Sequence, residues 1–176
     1  EITGASIVAA ELILDGSAER VFSPGGGWHH AMADRASGFC VFNDPVMAIH
    51  KFLEAGLRVA YIDIDAHHGD GVQDAFYNSG RVLTISIHEN GQYLFPGTGF
   101  TNEMGIGEGS NCTVNLPLAP YSGDAVYAWA FQEIVPPVIE YFAPDIIVTQ
   151  LGLDSHAYDP ITHLMLSVQG FGSIVS

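Results

Sequence analysis

The stretch RVAYIDID at residues 58–65 is apolar up to its polar end, and AHHGDG follows it directly at residues 66–71. Apolar runs of this kind are typical of strands buried on both faces of a parallel sheet. RVLTISIH at residues 81–88 and DIIVTQLG at residues 145–152 have the same character. Because helical patterns separate these buried strands, the sequence predicts a three-layer α/β/α fold with a mainly parallel sheet.

Helices are predicted around these strands from apolar periodicity and from start and stop signals. Asn43 or Asp44 caps one of them, with Pro45 in its first turn. The pair Pro136-Pro137 is expected to bend or split the longest helix. The predicted helices span residues 2–14, 44–54, 72–77 and 124–142, with one more opening at residue 168. Short strands are predicted at residues 20–23 and 113–116.

The composition indicates a folded protein and excludes some kinds of partner. Apolar residues make up 48% of the 176 residues and charged residues only 14%, which predicts one folded domain with a sizeable core. There are 20 acidic residues against 5 basic ones, a formal charge of -15, so no nucleic-acid partner is expected. Such a surface would steer a cationic substrate toward the protein. The alternative is that the acidity serves only solubility or adaptation to salt.

The cysteine count and the hydropathy bear on the compartment. Two cysteines are too few for a multi-bridge secreted framework, which favours a reducing compartment. No apolar run reaches the roughly 18 residues of a membrane span, and the first residues do not resemble a signal peptide. We therefore expect a cytoplasmic protein with no membrane partner.

Polar side chains gather where the three buried strands end. In open α/β sheets, ligands bind outside the carboxyl ends of the strands, so segments far apart in sequence are expected to meet at one edge. These strand-end residues are Asp63, Asp65 and His67, then Ser86 and His88, and finally Asp154 and His156.

Asp65-x-His67 offers one carboxylate and one imidazole close together, which are metal-ligand types. Asp154, at the end of another strand, is the best candidate for a third ligand. Three such ligands leave coordination positions open, as catalytic sites do. The alternative interpretation is a hydrogen-bonded loop or helix-cap cluster without a metal.

A glycine-rich loop, GGGWHH at residues 25–30, carries two adjacent histidines. Its glycines allow a close backbone approach to a ligand, or simply a tight turn. His29 and His30 could be metal ligands or acid–base groups that are each held by a carboxylate. Asp63 and Asp70 are the spare carboxylates for the second role, in which a His–Asp pair tunes the imidazole.

The remaining side chains of interest have ordinary structural interpretations. Phe39 and Phe95, taken alone, would be core residues. Cys40 could be a nucleophile beside a histidine, but no base is assigned to it and a buried inert thiol is favoured. His50 and Trp129 are predicted to pack on helix faces, and His163 is predicted to be a loop residue.

Six motifs follow one another along the chain: GGWHHA at 26–31, RASGFC at 35–40, ND at 43–44, YIDIDAHHGDGV at 61–72, FPGTG at 95–99 and QLGLD at 150–154. In this order and spacing they resemble the metal-dependent histone deacetylase family. The stretch HHAMADR at 29–35 is most similar to its bacterial and archaeal acetoin-utilisation-type members. The resemblance covers essentially all 176 residues and implies the arginase/deacetylase fold.

The resemblance implies one catalytic divalent ion held by Asp65, His67 and Asp154, with zinc as the first candidate and iron(II) or another divalent metal as the alternative. Related arginases use two manganese ions, but Ser155-His156 follows Asp154 here, which favours a single ion. A structural potassium ion (K+) is implied as well, bound mostly through backbone oxygens. Its implied positions are Asp63, Asp65, His67, Ser86 and Ile87, and those of a second, weaker site are Phe76, Ser79 and Val82.

The resemblance also assigns roles to the histidines and to the substrate path. It implies that His30, paired with Asp70, is the general base and acid, and that His29, paired with Asp63, is its electrostatic partner. The implied acyl-lysine tunnel has Phe39 and Phe95 as walls and the Gly38 carbonyl as acceptor of the substrate amide hydrogen.

The function implied is a zinc-dependent hydrolase that removes acetyl or other acyl groups from the ε-amine of lysine in proteins. A metal ion and a neutral histidine suit this chemistry, since an amide needs carbonyl polarisation and proton transfer. The alternatives are an acetylpolyamine amidohydrolase and a non-catalytic deacetylase-like binding domain.

The resemblance further implies that residues 1–176 are the central part of a single deacetylase catalytic domain, truncated at both ends. A rim carboxylate and an oxyanion-stabilising tyrosine of the family have no counterpart in this stretch. Since losing an oxyanion donor costs about 10²–10³ in rate, residues 1–176 alone are expected to be inactive.

Overall fold

The computed structural model describes residues 1–176 and contains one sheet of four parallel strands, in the order β3-β2-β1-β4. The strands are β1 (Val59–Asp63), β2 (Val82–Glu89), β3 (Thr113–Leu118) and β4 (Ile146–Gln150). The helices are α1 (Ile2–Leu14), α2 (Asp44–Glu54), α3 (Asp70–Phe76), α4 (Asp124–Phe142) and α5 (Val168–Val175). The predicted α/β/α fold with a parallel sheet is confirmed.

Successive side chains of β1 point to opposite faces of the sheet, and they therefore contribute to two separate cores, one on each face. Ala60 and Ile62 face a cluster that includes Tyr127 of α4. Val59 and Tyr61 face the other cluster, which is built largely from α1, α2 and α3. All five β1 residues are buried, because strands flank β1 on both sides and helices cover both of its faces.

The N-terminal cap of α2 agrees with the prediction from the sequence. Asn43 is the N-cap, and its side chain accepts a hydrogen bond from the backbone N–H of Val46. Pro45 lies in the first turn, where its missing N–H costs no helical hydrogen bond. This turn also positions Asn43 and Asp44 toward the loop that carries His29 and His30.

Two local predictions were wrong. Residues 20–23 are not a strand, and Val21 and Phe22 are exposed, because this short segment pairs with no strand. Helix α4 runs through Pro136 and Pro137 without splitting, so of the two predicted outcomes, a bend or a split, only the split is excluded. The other wrong prediction concerns β4, which is not buried throughout: within residues 1–176 it lies at the edge of the sheet, and Ile147 is 49% exposed. None of the helices is both long and apolar enough to cross a membrane.

Candidate active site

The predicted metal ligands meet at the carboxyl edge of the sheet. Asp65 and His67 follow β1, and Asp154 follows the neighbouring β4. The His67 Nδ1 atom lies 2.7 Å from Asp154 Oδ2 and 3.1 Å from Asp65 Oδ1. One ligand atom from each residue can be chosen so that all three lie within 4.8 Å of one another. The three side chains could therefore hold one metal ion.

Electrostatics at this cluster suit a cation. Burial lowers the pKa of His67, but hydrogen bonds to Asp154 and Asp65 outweigh it and raise the pKa to about 10. Burial also opposes ionisation of Asp65, yet the charge of His29 and bonds from His67 hold its pKa below the ordinary value. Burial and the nearby Asp65 charge raise the pKa of Asp154. A bound cation would relieve this repulsion between neighbouring carboxylates.

Two buried His–Asp pairs lie beside the cluster. His29 Nδ1 donates to Asp63 Oδ2 at 2.6 Å, and His30 Nδ1 donates to Asp70 Oδ1 at 2.7 Å. The two Nε2 atoms face each other at 3.0 Å, and the rings are only 3% and 4% exposed. Both Nδ1 protons are thus fixed by carboxylates, which leaves the Nε2 atoms as the groups that can exchange protons.

The surroundings of His29 favour its protonated form. Burial lowers the pKa of His29, but the charges of Asp63 and Asp65 overcome this and raise it to about 9. The His29 Nε2 atom also lies 3.8 Å from Asp65 Oδ1. A protonated His29 donates through Nδ1 to Asp63 and carries a second proton on Nε2, the atom that faces His30.

Backbone contacts hold the histidine loop against α2. Asn43 Nδ2 donates to the carbonyls of His29 and Ala31, both at 3.0 Å. The buried Asp44 carboxylate accepts from the backbone N–H groups of Gly27 and Trp28. The pair Asn43-Asp44 therefore does more than cap a helix.

The predicted tunnel residues lie at the open side of the site. The Phe95 ring is 5.1 Å from the His30 ring and 6.4 Å from the His67 ring, edge-on in both cases. Phe39 is 91% exposed. Gly38 has φ +50°, and a side chain there would overlap the His30 ring. A closed tunnel stays a prediction, since both phenylalanines are open to solvent.

Cys40 fits the structural interpretation rather than the nucleophilic one. It is buried, its Sγ donates to the Gly38 carbonyl at 3.2 Å, and burial raises the pKa of the thiol. This hydrogen bond goes to the Gly38 carbonyl, the group that is predicted to accept the substrate amide hydrogen.

The full chain, residues 1–176, matches the sequence model of the histone deacetylase domain. The chain belongs to the histone deacetylase family. It is 44% identical over 174 residues to the acetoin utilization protein AcuC of Bacillus subtilis (strain 168), covering 98% of this chain and 45% of that protein. It is 47% identical over 164 residues to AcuC of Staphylococcus aureus (strain MRSA252), covering 93% and 42%.

The fold of this family member also matches a solved structure. The crystal structure of an HDAC homolog from Aquifex aeolicus superposes with a TM-score of 0.94 at 38% identity, covering 99% of this chain and 47% of that one. The family resemblance and the arginase/deacetylase fold predicted from the motifs are therefore confirmed. The chain spans about 45% of the length of the first AcuC relative.

The predicted potassium positions fall into two neighbourhoods. Asp63 of β1 lies opposite Ser86 of β2 in the sheet register, so the first set shares the carboxyl edge with the divalent site. The second set runs from the end of α3 to the start of β2, where the Ser79 N–H donates to the Phe76 carbonyl. Both potassium sites remain predictions.

Several supporting residues were missed from the sequence. Gln150, the last residue of β4, donates from Nε2 to Asp65 Oδ2 and to the Gly27 carbonyl, so it joins a metal-ligand segment to the histidine loop. The Tyr61 hydroxyl donates to Asp63 Oδ2 at 2.7 Å. Both residues begin family motifs, at 61–72 and at 150–154, but neither residue type by itself indicates such a role.

The loop that carries Phe95 is held by a second polar network. The Glu103 carboxylate accepts from the backbone N–H groups of Gly99 and Phe100 and from Gln73 of α3. Buried His68 lies 3.0 Å from Gln73 Oε1 through Nε2. The network ties this loop to the sheet edge without using any residue of the divalent cluster.

Proposed function

We propose that this protein is a metal-dependent amide hydrolase that removes acetyl groups from the ε-amine of lysine in proteins. The observation that carries the proposal is the pair of buried His–Asp units, with Nε2 atoms 3.0 Å apart, beside the Asp65–His67–Asp154 cluster. Membership of the histone deacetylase family supports the same reaction class.

Asp65, His67 and Asp154 would hold a divalent ion. The donor set fits, because two carboxylates and one imidazole converge on one point and leave room for further ligands. Zinc is the first candidate and iron(II) the second, since both accept this mixture of oxygen and nitrogen donors. When bound, such an ion supplies Lewis acidity that polarises an amide carbonyl and makes water more acidic. A structural potassium ion belongs to the same proposal.

His30 is proposed as the group that moves protons. Asp70 holds its Nδ1 proton, so the imidazole can take a proton from water at Nε2 and deliver it to the leaving amine. Positioned proton transfer of this kind contributes about 10²–10⁴ in rate.

His29 has a separate, electrostatic role in this proposal. The carboxylates of Asp63 and Asp65 favour its protonated form, whose pKa is raised to about 9. A fixed positive charge beside the reacting amide stabilises the negative charge that develops on its oxygen. The protonated ring needs no proton transfer of its own for this effect.

The proposed substrate follows from the aromatic side chains at the opening. Phe95 lies against His30 and His67, and the exposed Phe39 follows Gly38, whose backbone closely approaches the His30 ring. Aromatic faces bind an aliphatic lysine stem well once acetylation has removed its charge. An acetylated polyamine is the second candidate, because the formal charge of -15 would attract a polycationic amine. The site of action is proposed to be the cytoplasm.

The test uses the natural, full-length protein. We expect it to hydrolyse an acetyl-lysine peptide, to lose activity after treatment with a chelator, and to regain activity with zinc or iron(II). A higher kcat/KM for acetylspermidine would move the assignment to the polyamine. If the protein binds the peptide but hydrolyses it with neither zinc nor iron(II), the enzymatic proposal is wrong. The protein would then be a non-catalytic binding domain.

A further inference from the structure

Glu89, the last residue of β2, is a buried carboxylate that is 1% exposed. Its Oε2 accepts from the backbone N–H of His163 at 2.7 Å, and its Oε1 accepts from His163 Nδ1 at 2.8 Å. Both bonds reach one residue that is 74 positions away. Since burying a carboxylate is costly without such partners, the two bonds fix the His163 segment against the end of β2.

The backbone of Glu89 contacts the first metal-ligand segment. Its N–H donates to the carbonyl of Ala66, the residue between Asp65 and His67, at 2.9 Å. The Ala66 N–H in turn donates to Asp154 Oδ1 at 2.8 Å. The main chain at residue 89 therefore supports the peptide that orients two of the three ligands.

The side chain of Glu89 contacts the second metal-ligand segment. Thr162, the neighbour of His163, donates from its hydroxyl to the backbone carbonyl of Asp154 at 2.5 Å. The Tyr121 N–H also donates to the His163 carbonyl at 2.8 Å. Asp154 thus lies at the start of a loop whose other end is held by the hydrogen bonds of Thr162 and His163.

We propose that Glu89 is a positioning residue for the metal site, because it joins the segment of Asp65 and His67 to the segment of Asp154. This inference rests on the proposed function only in that the three residues must bind a divalent ion. Glu89 touches none of the three ligand side chains. Its effect is on the distance and orientation between ligands that come from different strands.

The chain offers a control with the same kind of paired contact, in a less buried place, at Asp124, the first residue of α4. Asp124 accepts from the backbone N–H of Ser167 at 2.8 Å and from its hydroxyl at 2.6 Å. It therefore makes the same kind of paired contact to one distant residue, but it joins α4 to α5. Glu89→Gln and Asp124→Asn each replace a carboxylate by an amide and disturb one such pair.

The experiment measures divalent-metal binding on the metal-free full-length protein, with no substrate present. Co2+ is titrated by visible absorption and Zn2+ by competition with a chromophoric chelator, while Tm is recorded separately. We expect Glu89→Gln to raise the metal Kd about 10- to 100-fold, as loss of supporting contacts around metal ligands typically does. Asp124→Asn is expected to lower Tm and leave the metal Kd unchanged.

Because Glu89→Gln can also impair folding, a second pair of variants changes the partner, whose side chain is 47% exposed. His163→Asn places an amide N–H where Nδ1 donates and is expected to keep the affinity. His163→Ala removes that donor and is expected to weaken metal binding severalfold at an unchanged far-UV circular dichroism spectrum.

The outcomes separate the two proposals. If the wild-type protein binds metal and Glu89→Gln binds it within twofold of wild type, the positioning role is wrong and the proposed function stands. If Asp124→Asn weakens binding as much as Glu89→Gln, the effect is general destabilisation and the positioning role is again wrong. If the wild-type protein binds neither ion, both proposals fail.

Discussion

Strands β1 and β4 are neighbours with matched register, from Val59 opposite Ile146 to Asp63 opposite Gln150, and each is followed by metal-ligand candidates. Their surroundings differ. Every residue of β1 is buried, whereas β4 buries only its last residue fully and alternates between partly and largely exposed along the rest. Within residues 1–176, β1 is held by packing on all sides, and β4 is the edge of the sheet.

This contrast explains how the two halves of the divalent cluster are held. Asp65 and His67 directly follow a strand fixed by two cores, and Gln150 and the backbone amide of His67 hold the Asp65 carboxylate. Asp154 follows an edge strand and depends on discrete hydrogen bonds, from Ala66 and from Thr162. Strand packing together with hydrogen bonds to Asp65 sets the first side of the site, whereas the second side is set mainly by individual polar contacts.

The largest expected effect is the loss of a ligand from either side. Asp154→Ala and Asp65→Ala should each remove metal binding and lower kcat/KM about 10³-fold or more, because metal action contributes several kcal/mol and each 1.4 kcal/mol is tenfold. Metal content of the purified variants and kcat/KM on an acetyl-lysine peptide measure this. A variant of Asp154 that keeps its metal and activity would show that the β4 side is dispensable and that the site consists of the β1 side alone.

The carboxylates of the two His–Asp pairs come from two different elements, β1 and α3. Asp63, the partner of His29, ends β1, whereas Asp70, the partner of His30, begins α3. His30→Ala should lower kcat about 10²–10⁴-fold through loss of proton transfer, with metal content unchanged.

His29→Ala is the companion measurement. It removes a charge rather than the proton carrier, so we expect a smaller loss in kcat than for His30→Ala. Single-turnover rates across pH 6–9 on both variants separate these roles. If His29→Ala is the more damaging variant, the assignment of the two histidines is reversed.

Packing itself can be tested on one face of the sheet with a matched pair of isoleucines. Ile62 of β1 is 9% exposed in the core, and Ile147 of β4 is 49% exposed on the same face. Ile62→Ala should lower the free energy of unfolding by about 2–5 kcal/mol. Ile147→Ala should cost about 0.5 kcal/mol, as at ordinary surface positions. Denaturant unfolding of a protein made of residues 1–176, the stretch in which these exposures hold, measures both, and equal costs would mean that β4 is as enclosed as β1 in that protein.

The sequence predicted the features that depend on local pattern. The apolar run before Asp63 predicted β1, the cap at Asn43 predicted the start of α2, and Asp65-x-His67 with Asp154 predicted three side chains that the structure brings together. These follow from residue spacing and from the rule that parallel strands deliver their carboxyl ends to one edge.

What could not be predicted depends on contacts between distant residues. His163 does lie in a loop, as predicted, but nothing near it in sequence reveals its hydrogen bonds to the Glu89 carboxylate. The exposure of Ile147 depends on which element covers that face, and an apolar run does not encode this. Similarly, residues 20–23 have strand-like composition but no strand to pair with.

The smallest expected effect concerns Asn43, which links α2 to the histidine loop. Asn43→Ser keeps an oxygen that can cap Val46 but removes the Nδ2 group that donates to the carbonyls of His29 and Ala31. Leaving these carbonyls without that donor should cost about 1–3 kcal/mol in unfolding free energy.

The same substitution should also lower kcat severalfold, because His29 and His30 lose part of the support that aligns their Nε2 atoms. The metal Kd should stay at the wild-type value, since neither ligand segment contacts Asn43. Asn43→Ala is the companion variant and should lose about 1 kcal/mol more, through the missing helix cap. A change in metal Kd for Asn43→Ser would mean that the histidine loop and the metal ligands form one coupled unit, so that neither strand holds its side of the site independently.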